Sequence, residues 1–70
     1  MGTFVRLTIN GEDREFDGVA DVAGLVEALG LHPRKVAVEV NLEIVPRSLY
    51  GASALKDGDR VEIVHFIGGG

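Results

Sequence analysis

The chain has 70 residues, 46% of them apolar, which predicts one small domain over residues 1–70 with a compact apolar core. Cysteine is absent, which excludes a disulfide framework and a thiol nucleophile and fits a cytoplasmic protein. The net charge is −4, the seven basic residues are scattered, and no apolar run nears the roughly twenty residues that span a bilayer, so neither nucleic acid nor a membrane is an expected partner.

The first two predicted elements form a β-hairpin. Residues 3–9 alternate between polar and apolar side chains, with Val5, Leu7 and Ile9 on one face, which is typical of a half-buried strand. Asn10-Gly11 favours a two-residue turn, because type I′ turns need positive φ at both central positions. A second strand over residues 14–17 would then pair antiparallel with the first.

A short helix is predicted next. Asp21 is a suitable capping residue, and the apolar side chains after it lie on one helical face: Val22, Leu25, Val26 and Leu29. Gly30 and Pro33 favour its end. Gly24 inside the helix costs about 1 kcal/mol relative to alanine, and we expect close packing against the sheet to explain it.

The second half of the chain predicts three more strands. Val36, Val38 and Val40 alternate with other residues in the third strand, residues 41–43 turn the chain, and a short strand at 44–45 ends before Pro46. Residues 48–54 are predicted to be irregular, with one helical turn anchored by Leu49 and Tyr50. Residues 60–67 form the last and most apolar strand.

This order of elements predicts an α+β fold, with one helix on one face of a mixed sheet of four or five strands. The first and last strands would be central and parallel, which is the β-grasp arrangement of ubiquitin-like proteins. Because the other sheet face stays open, Phe4 could join Val64 and Phe66 there in an exposed apolar patch, which favours a partner-binding site. The alternative is that Phe66 folds over the sheet edge and is buried.

Three glycines, Gly68, Gly69 and Gly70, follow the last strand directly. Glycine lacks Cβ, so we expect residues 67–70 to form a flexible tail that fits a channel too narrow for side chains. A carboxylate at Gly70, with a pKa of about 3.5, would be ionised at neutral pH and could act as a nucleophile. The alternative is a frayed terminus or a linker remnant.

Other candidate sites are weak. His32 and His65 lie far apart without a second ligand at metal spacing, and the serines have no histidine partner in a recognisable motif. The tail glycines precede no helix that could receive a phosphate. We therefore expect a chain that is not an enzyme and binds neither a metal nor a cofactor.

Several segments resemble the ThiS family, the small sulfur carriers of thiamine biosynthesis. They are LTINGE at residues 7–12, VAVEVN at 36–41, IVPR at 44–47, GDRVEIV at 58–64 and FIGGG at 66–70. The resemblance covers essentially the whole chain in order, length and ending. The family's terminal diglycine corresponds to Gly69 and Gly70, so Gly68 is an additional residue that adds reach.

The resemblance implies a mechanism. A ThiF-like enzyme would adenylate the Gly70 carboxylate with ATP, a sulfur donor protein would displace AMP to leave a thiocarboxylate, and a ThiG-like thiazole synthase would receive the sulfur. Gly68 and Gly69 would give the tail access to the partner's active site. Phe66, Ile67, Val64 and Phe4 would dock the partners, and ATP and its metal would belong to the activating enzyme.

Three alternatives stay open. A related carrier of the MoaD type, which serves molybdopterin synthesis, shares the expected fold, tail and activation, although a proline-containing approach to the diglycine is absent here. A ubiquitin-like modifier would conjugate through Gly70 to lysines. A plain binding domain would carry the glycines without using them.

Overall fold

The computed structural model describes residues 4–66, so the predicted tail residues Ile67, Gly68, Gly69 and Gly70 lie outside the described residues. The described part contains a five-stranded mixed sheet in the order β2-β1-β5-β3-β4. Its strands are β1 (Phe4–Ile9), β2 (Glu12–Asp17), β3 (Val36–Val40), β4 (Glu43–Val45) and β5 (Arg60–His65). The helix α1 spans Val22–Ala28, and two 3₁₀ helices span Pro33–Lys35 and Arg47–Ala52. The predicted α+β class is confirmed.

The β1–β2 hairpin forms as the alternation predicts. Val5, Leu7 and Ile9 are buried, and the side chains between them lie on the open face. Asn10 and Gly11 have φ values of 50° and 86°, the left-handed conformations that a two-residue turn needs. Because the turn has two residues, Glu12 lies directly opposite Ile9, and β2 begins earlier than residue 14.

The helix α1 begins at Val22, as predicted. The side chain of the capping residue Asp21 accepts a hydrogen bond of 2.8 Å from the Gly24 amide. A Cβ at Gly24 would lie 3.4 Å from Asp21 Oδ1 and 4.0 Å from Val19 Cα, and it would meet no strand of the described part within 4 Å. The expectation that Gly24 packs closely against the sheet is therefore wrong, since this helix face points towards the cap.

The apolar core lies between α1 and one face of the sheet. Its buried members are Val5, Leu7, Ile9, Val19, Val22, Leu25, Val26, Val36, Val38, Tyr50 and Val61. Tyr50 anchors the second 3₁₀ helix, and its hydroxyl donates to the Val36 carbonyl at 3.3 Å. Leu49 is 48% exposed, so its predicted anchoring role is wrong: in this tight turn the side chain before Tyr50 points outward.

The β3–β4 turn contains two residues, Asn41 and Leu42, with φ values of 52° and 71°. Glu43 already belongs to β4, so the predicted three-residue turn is one residue too long. A leucine in the left-handed region costs about 1 kcal/mol or more, because its Cβ approaches the following carbonyl. Leu42 is also 88% exposed. Within residues 4–66, no helix combines the length and apolar character needed to cross a membrane.

Replacing Gly24 and Gly11 with alanine is expected to change stability in opposite directions. Gly24→Ala adds helix propensity without a close contact and should raise the free energy of unfolding by about 0.5–1 kcal/mol. Gly11→Ala forces a Cβ into a φ of 86° and should lower it by about 1–2 kcal/mol. Urea unfolding followed by circular dichroism measures both; a loss of stability in Gly24→Ala would contradict the expectation that a Cβ is accommodated 3.4 Å from Asp21 Oδ1.

Candidate functional site

Strand β5 leads from the centre of the fold to the predicted tail. It lies parallel to β1 on one side and antiparallel to β3 on the other. Val61, in its first half, is fully buried in the core. The strand is therefore held by both neighbours before it reaches the residues whose side chains are exposed.

The register of β1 and β5 separates Phe4 from the other predicted docking residues. Thr8 is level with Arg60, and the two strands run in the same direction. Phe4 is then level with residue 56, eight residues before Val64, which is about 26 Å at the usual rise of 3.3 Å per residue. The predicted patch that unites Phe4 with Val64 and Phe66 is therefore wrong, because the three side chains share a face but lie at opposite ends of it.

Val64 and Phe66 form the apolar surface at the end of β5. Their side chains are 59% and 48% exposed. They lie on the open face, because side chains alternate along a strand and Ile63, directly before Val64, packs against the core. Phe66 is thus not buried over the sheet edge. Val64 pairs with Ala37 of β3, a small residue that leaves the valine uncovered. Ile67, the remaining docking residue, lies outside the described residues.

The side chain of Asn10 holds β5 where β1 has turned away into its hairpin. Asn10 Oδ1 accepts a 2.7 Å hydrogen bond from the Ile63 amide, and Asn10 Nδ2 donates at 3.2 Å to the Ile63 carbonyl. This pair of bonds replaces the backbone ladder of a neighbouring strand. One residue thus supplies both the positive φ of the turn and the last lateral support of β5 on this side.

Asn41 makes an equivalent contact from the other side of β5. Its Oδ1 accepts from the Arg60 amide at 3.0 Å, and its Nδ2 donates at 3.0 Å to the buried carboxylate of Asp59. Asp59 Oδ2 also accepts from the Lys56 amide, which shapes the turn before β5. Asparagine tolerates the left-handed region, so each hairpin turn carries a residue suited to both roles.

The last described residue, Phe66, is tied to the 3₁₀ helix that precedes β3. Its amide donates to the Lys35 carbonyl at 2.8 Å. That 3₁₀ helix is capped at its start by His32, whose Nδ1 accepts a hydrogen bond from the Arg34 amide at 3.1 Å. His32 thus has a local structural role, and His65 is exposed on β5. Within residues 4–66, no cluster of three or more potential metal ligands is present.

The open face near β2 is acidic. Asp13, Glu15 and Asp17 lie opposite Thr8, Arg6 and Phe4 respectively. The Arg6 guanidinium pairs with Glu15 at 2.8 Å, and this hydrogen bond raises the pKa of Arg6. Both side chains are more than half exposed, so the pair adds little stability.

A second exposed apolar surface was not predicted. Leu42 in the β3–β4 turn, Ile44 in β4 and Leu49 in the second 3₁₀ helix are 88%, 74% and 48% exposed, and Ile44 and Leu49 line the same groove. Ile44 pairs with Glu39 and therefore shares the open face. The sequence could have predicted the exposure of Leu42 from the Asn41-Leu42 turn, because the side chain of a turn residue points away from the core.

Comparison with known proteins identifies a family. The model of the ThiS family matches residues 7–70. The sulfur carrier protein ThiS of Bacillus subtilis is 37% identical over 65 residues, which is 91% of this chain and 98% of that protein. The crystal structure of the thiamine biosynthesis protein ThiS from Geobacter metallireducens superposes with a TM-score of 0.79 at 39% identity, over 94% of this chain and 100% of that one. The predicted β-grasp fold is thereby confirmed.

Two further relatives are longer proteins. A thiazole synthase of Paramagnetospirillum magneticum is 56% identical over 66 residues, and one of Magnetococcus marinus is 44% identical over 66 residues. In both cases the match covers 94% of this chain and 20% of the relative. The chain thus spans one fifth of the length of these two relatives.

Replacing either asparagine with glycine is expected to free one specific amide. Asn10→Gly preserves the positive φ of the turn but removes the partner of the Ile63 amide, so hydrogen exchange at Ile63 should accelerate. Asn41→Gly should instead accelerate exchange at Arg60. Each variant should lose about 1 kcal/mol of stability. NMR measures the exchange rate of each amide, with the Phe66 amide, which donates to the Lys35 carbonyl, as the reference. Equal acceleration at the Ile63, Arg60 and Phe66 amides would contradict the inference that each asparagine supports its own part of β5.

Proposed function

The chain belongs to the ThiS family, and on that premise we propose that it is a sulfur carrier of thiamine biosynthesis that carries sulfur on the carboxylate of Gly70. The observation that supports this proposal most directly is the extent of the family match. It runs over residues 7–70 and so includes the triglycine segment together with the folded part. The chain acts as a co-substrate of partner enzymes and performs no catalysis itself.

The first proposed step activates the Gly70 carboxylate. One carboxylate oxygen attacks the α-phosphorus of ATP in a ThiF-like adenylating enzyme. The bond between the α-phosphorus and the oxygen that leaves with pyrophosphate breaks, and an acyl adenylate forms. The carbonyl carbon becomes electrophilic because AMP is a good leaving group. ATP and its metal ion are bound by the partner enzyme.

The second proposed step introduces sulfur. The terminal sulfur of a persulfide on a donor protein attacks the carbonyl carbon, and AMP leaves with the electron pair of the broken bond. The acyl disulfide that results is reduced by a thiol, which releases the donor as a mixed disulfide and leaves a thiocarboxylate on Gly70. A ThiG-like thiazole synthase then receives this sulfur. The similarity to a segment of two thiazole synthases supports this last partner.

The residues of this chain contribute access and docking. Gly68 and Gly69 lack Cβ atoms, so the backbone can enter a narrow active site without a steric conflict. Val64 and Phe66 supply an exposed apolar surface next to the tail, and partner proteins bury such surfaces. Ile67 would extend this surface. Phe4 is too distant to dock at the same place, so its predicted role would require a separate contact.

Intact mass spectrometry tests the chemistry. The chain is incubated with a ThiF-like enzyme, ATP, a persulfide donor and a thiol, and we expect a mass gain equal to the exchange of one oxygen for sulfur. The mass of the isolated chain is measured first, since the chemistry requires a free carboxylate at Gly70. A variant with one alanine added after Gly70 is the matched control and should gain nothing.

The outcomes separate the alternatives. An unchanged mass with an enzyme that adenylates another carrier would overturn the proposal, and so would an isolated chain that continues beyond Gly70. Adducts on lysines of other proteins would favour a modifier. Restoration of molybdopterin synthesis without thiamine synthesis, in strains that lack each carrier, would favour the MoaD-type alternative.

Replacing Phe66 with alanine is expected to weaken partner binding without unfolding the domain. Its side chain is half exposed and its amide bond to Lys35 is unaffected, so KM for the chain in the adenylation reaction should rise roughly tenfold, as for an interface anchor. Phe4→Ala removes an equally large exposed ring from the same face, about 33 Å away along the strands at the usual rise per residue. Equal effects of the two variants on KM would contradict a docking surface centred on the end of β5.

A further inference from the structure

The 3₁₀ helix Pro33–Lys35 organises a corner of the fold around the end of β5. The carbonyl oxygens of its three residues all accept hydrogen bonds from other parts of the chain. Arg47 Nε donates to the Pro33 carbonyl at 3.1 Å, Arg47 Nη2 donates to the Arg34 carbonyl at 3.4 Å, and the Phe66 amide donates to the Lys35 carbonyl at 2.8 Å. The start of the second 3₁₀ helix and the end of β5 are therefore joined through one short turn.

This corner concentrates positive charge on an acidic protein. Arg34, Lys35 and Arg47 account for three of the seven basic residues, while the net charge of the chain is −4. In residues 4–66 the one ion pair within 4.0 Å is Arg6–Glu15, so none of these three cations is neutralised by a described carboxylate. Arg47 is held by carbonyls, which orient its guanidinium but leave its charge uncompensated.

The shape of the corner is suited to contact with a partner protein. A concavity of about 470 Å³ opens beside it, lined by apolar and cationic side chains that include Val26, Leu31, Arg34, Arg47 and Tyr50. Glu27 is the acidic side chain at its rim. Arg34, Lys35 and Arg47 are exposed, so the charge is available to a partner.

We propose that the cationic corner formed by Arg34, Lys35 and Arg47 docks on an acidic surface of the adenylating enzyme, beside the entrance to the site that receives the tail. This inference rests on the proposed function. The enzyme meets three unmodified glycines, Gly68, Gly69 and Gly70, which offer no side chain to recognise. Specificity must therefore come from the folded surfaces nearest the tail, which are the exposed Val64 and Phe66 and the corner joined to Phe66. An enzyme that receives sulfur depends less on this surface, because the thiocarboxylate itself distinguishes the sulfur-carrying chain from the unmodified one.

Matched charge reversals test the proposal. Arg34→Glu/Lys35→Glu changes the corner, and Lys56→Glu/Arg60→Glu changes the same residue types near the beginning of β5, so both double variants alter the net charge equally. Binding to the ThiF-like enzyme is measured by titration calorimetry, and KM and kcat by pyrophosphate release. We expect the corner variant to lose roughly tenfold or more in affinity, with kcat retained at saturation, since the glutamates would face an acidic surface and like charges at an interface repel.

Two further measurements separate charge from structure. The swap Arg34→Lys/Lys35→Arg preserves both charges and should bind like the unmodified chain. The neutral variant Arg34→Gln/Lys35→Gln replaces the charge reversal if the latter fails to fold by circular dichroism, and a smaller loss in the same direction is expected. Raising the salt concentration should narrow the difference between the unmodified chain and the corner variant, because screening weakens the contact.

Several results would overturn the proposal: equal losses in the two charge reversals, no loss in the corner variant, a fall in kcat without a change in KM, or weakened binding to thiazole synthase instead of the adenylating enzyme. An unmodified chain that does not bind the adenylating enzyme would also overturn it. If the chain binds the adenylating enzyme but is never adenylated, the proposed function is contradicted. The affinities of the unmodified chain and of the two charge reversals for that enzyme still decide whether the corner docks on it.

Discussion

The pairing of β5 with both of its neighbours is the interaction on which the rest of this structure depends. Val61 enters the core while its backbone joins β1 and β3, so packing and hydrogen bonding at one position hold all three strands. The asparagines at the two hairpin turns extend this support to Ile63 and Arg60 through side-chain amides. A seven-residue helix and short strands suffice because the central strand is secured along both edges.

This arrangement gives the protein two ends with different properties. At the beginning of β5, the turn before the strand is shaped by the buried Asp59. At its end, Val64 and Phe66 are exposed and the backbone is tied to a cationic 3₁₀ helix. The surfaces next to the tail are thus set by the elements around Phe66. Because Gly68, Gly69 and Gly70 have no side chains, recognition of the carrier depends on such surfaces, which connects the fold to the proposed role.

Much of the fold was predictable because its signals are local. The alternation of Val5, Leu7 and Ile9, the Asn10-Gly11 turn and the Asp21 cap each depend on neighbouring residues and were confirmed. Apart from the start of β2 and the length of the β3–β4 turn, the incorrect predictions concern how segments pack against one another. The surroundings of Gly24, the exposure of Leu49 and the position of Phe4 relative to Val64 depend on how elements pack, which periodicity does not specify.

The sequence by itself determined the order of the strands and the helix, which face of the strands is apolar, and the membership of the ThiS family that the comparisons confirmed. The chemistry proposed for Gly70 also follows from the sequence, because the three consecutive glycines at residues 68–70 are visible there without a structure. Only the tertiary structure decided the register of β1 against β5, and with it the separation of Phe4 from the docking surface. The physical reason is that a period of two assigns each side chain to a face, whereas its position along that face is set by pairing between residues some fifty positions apart.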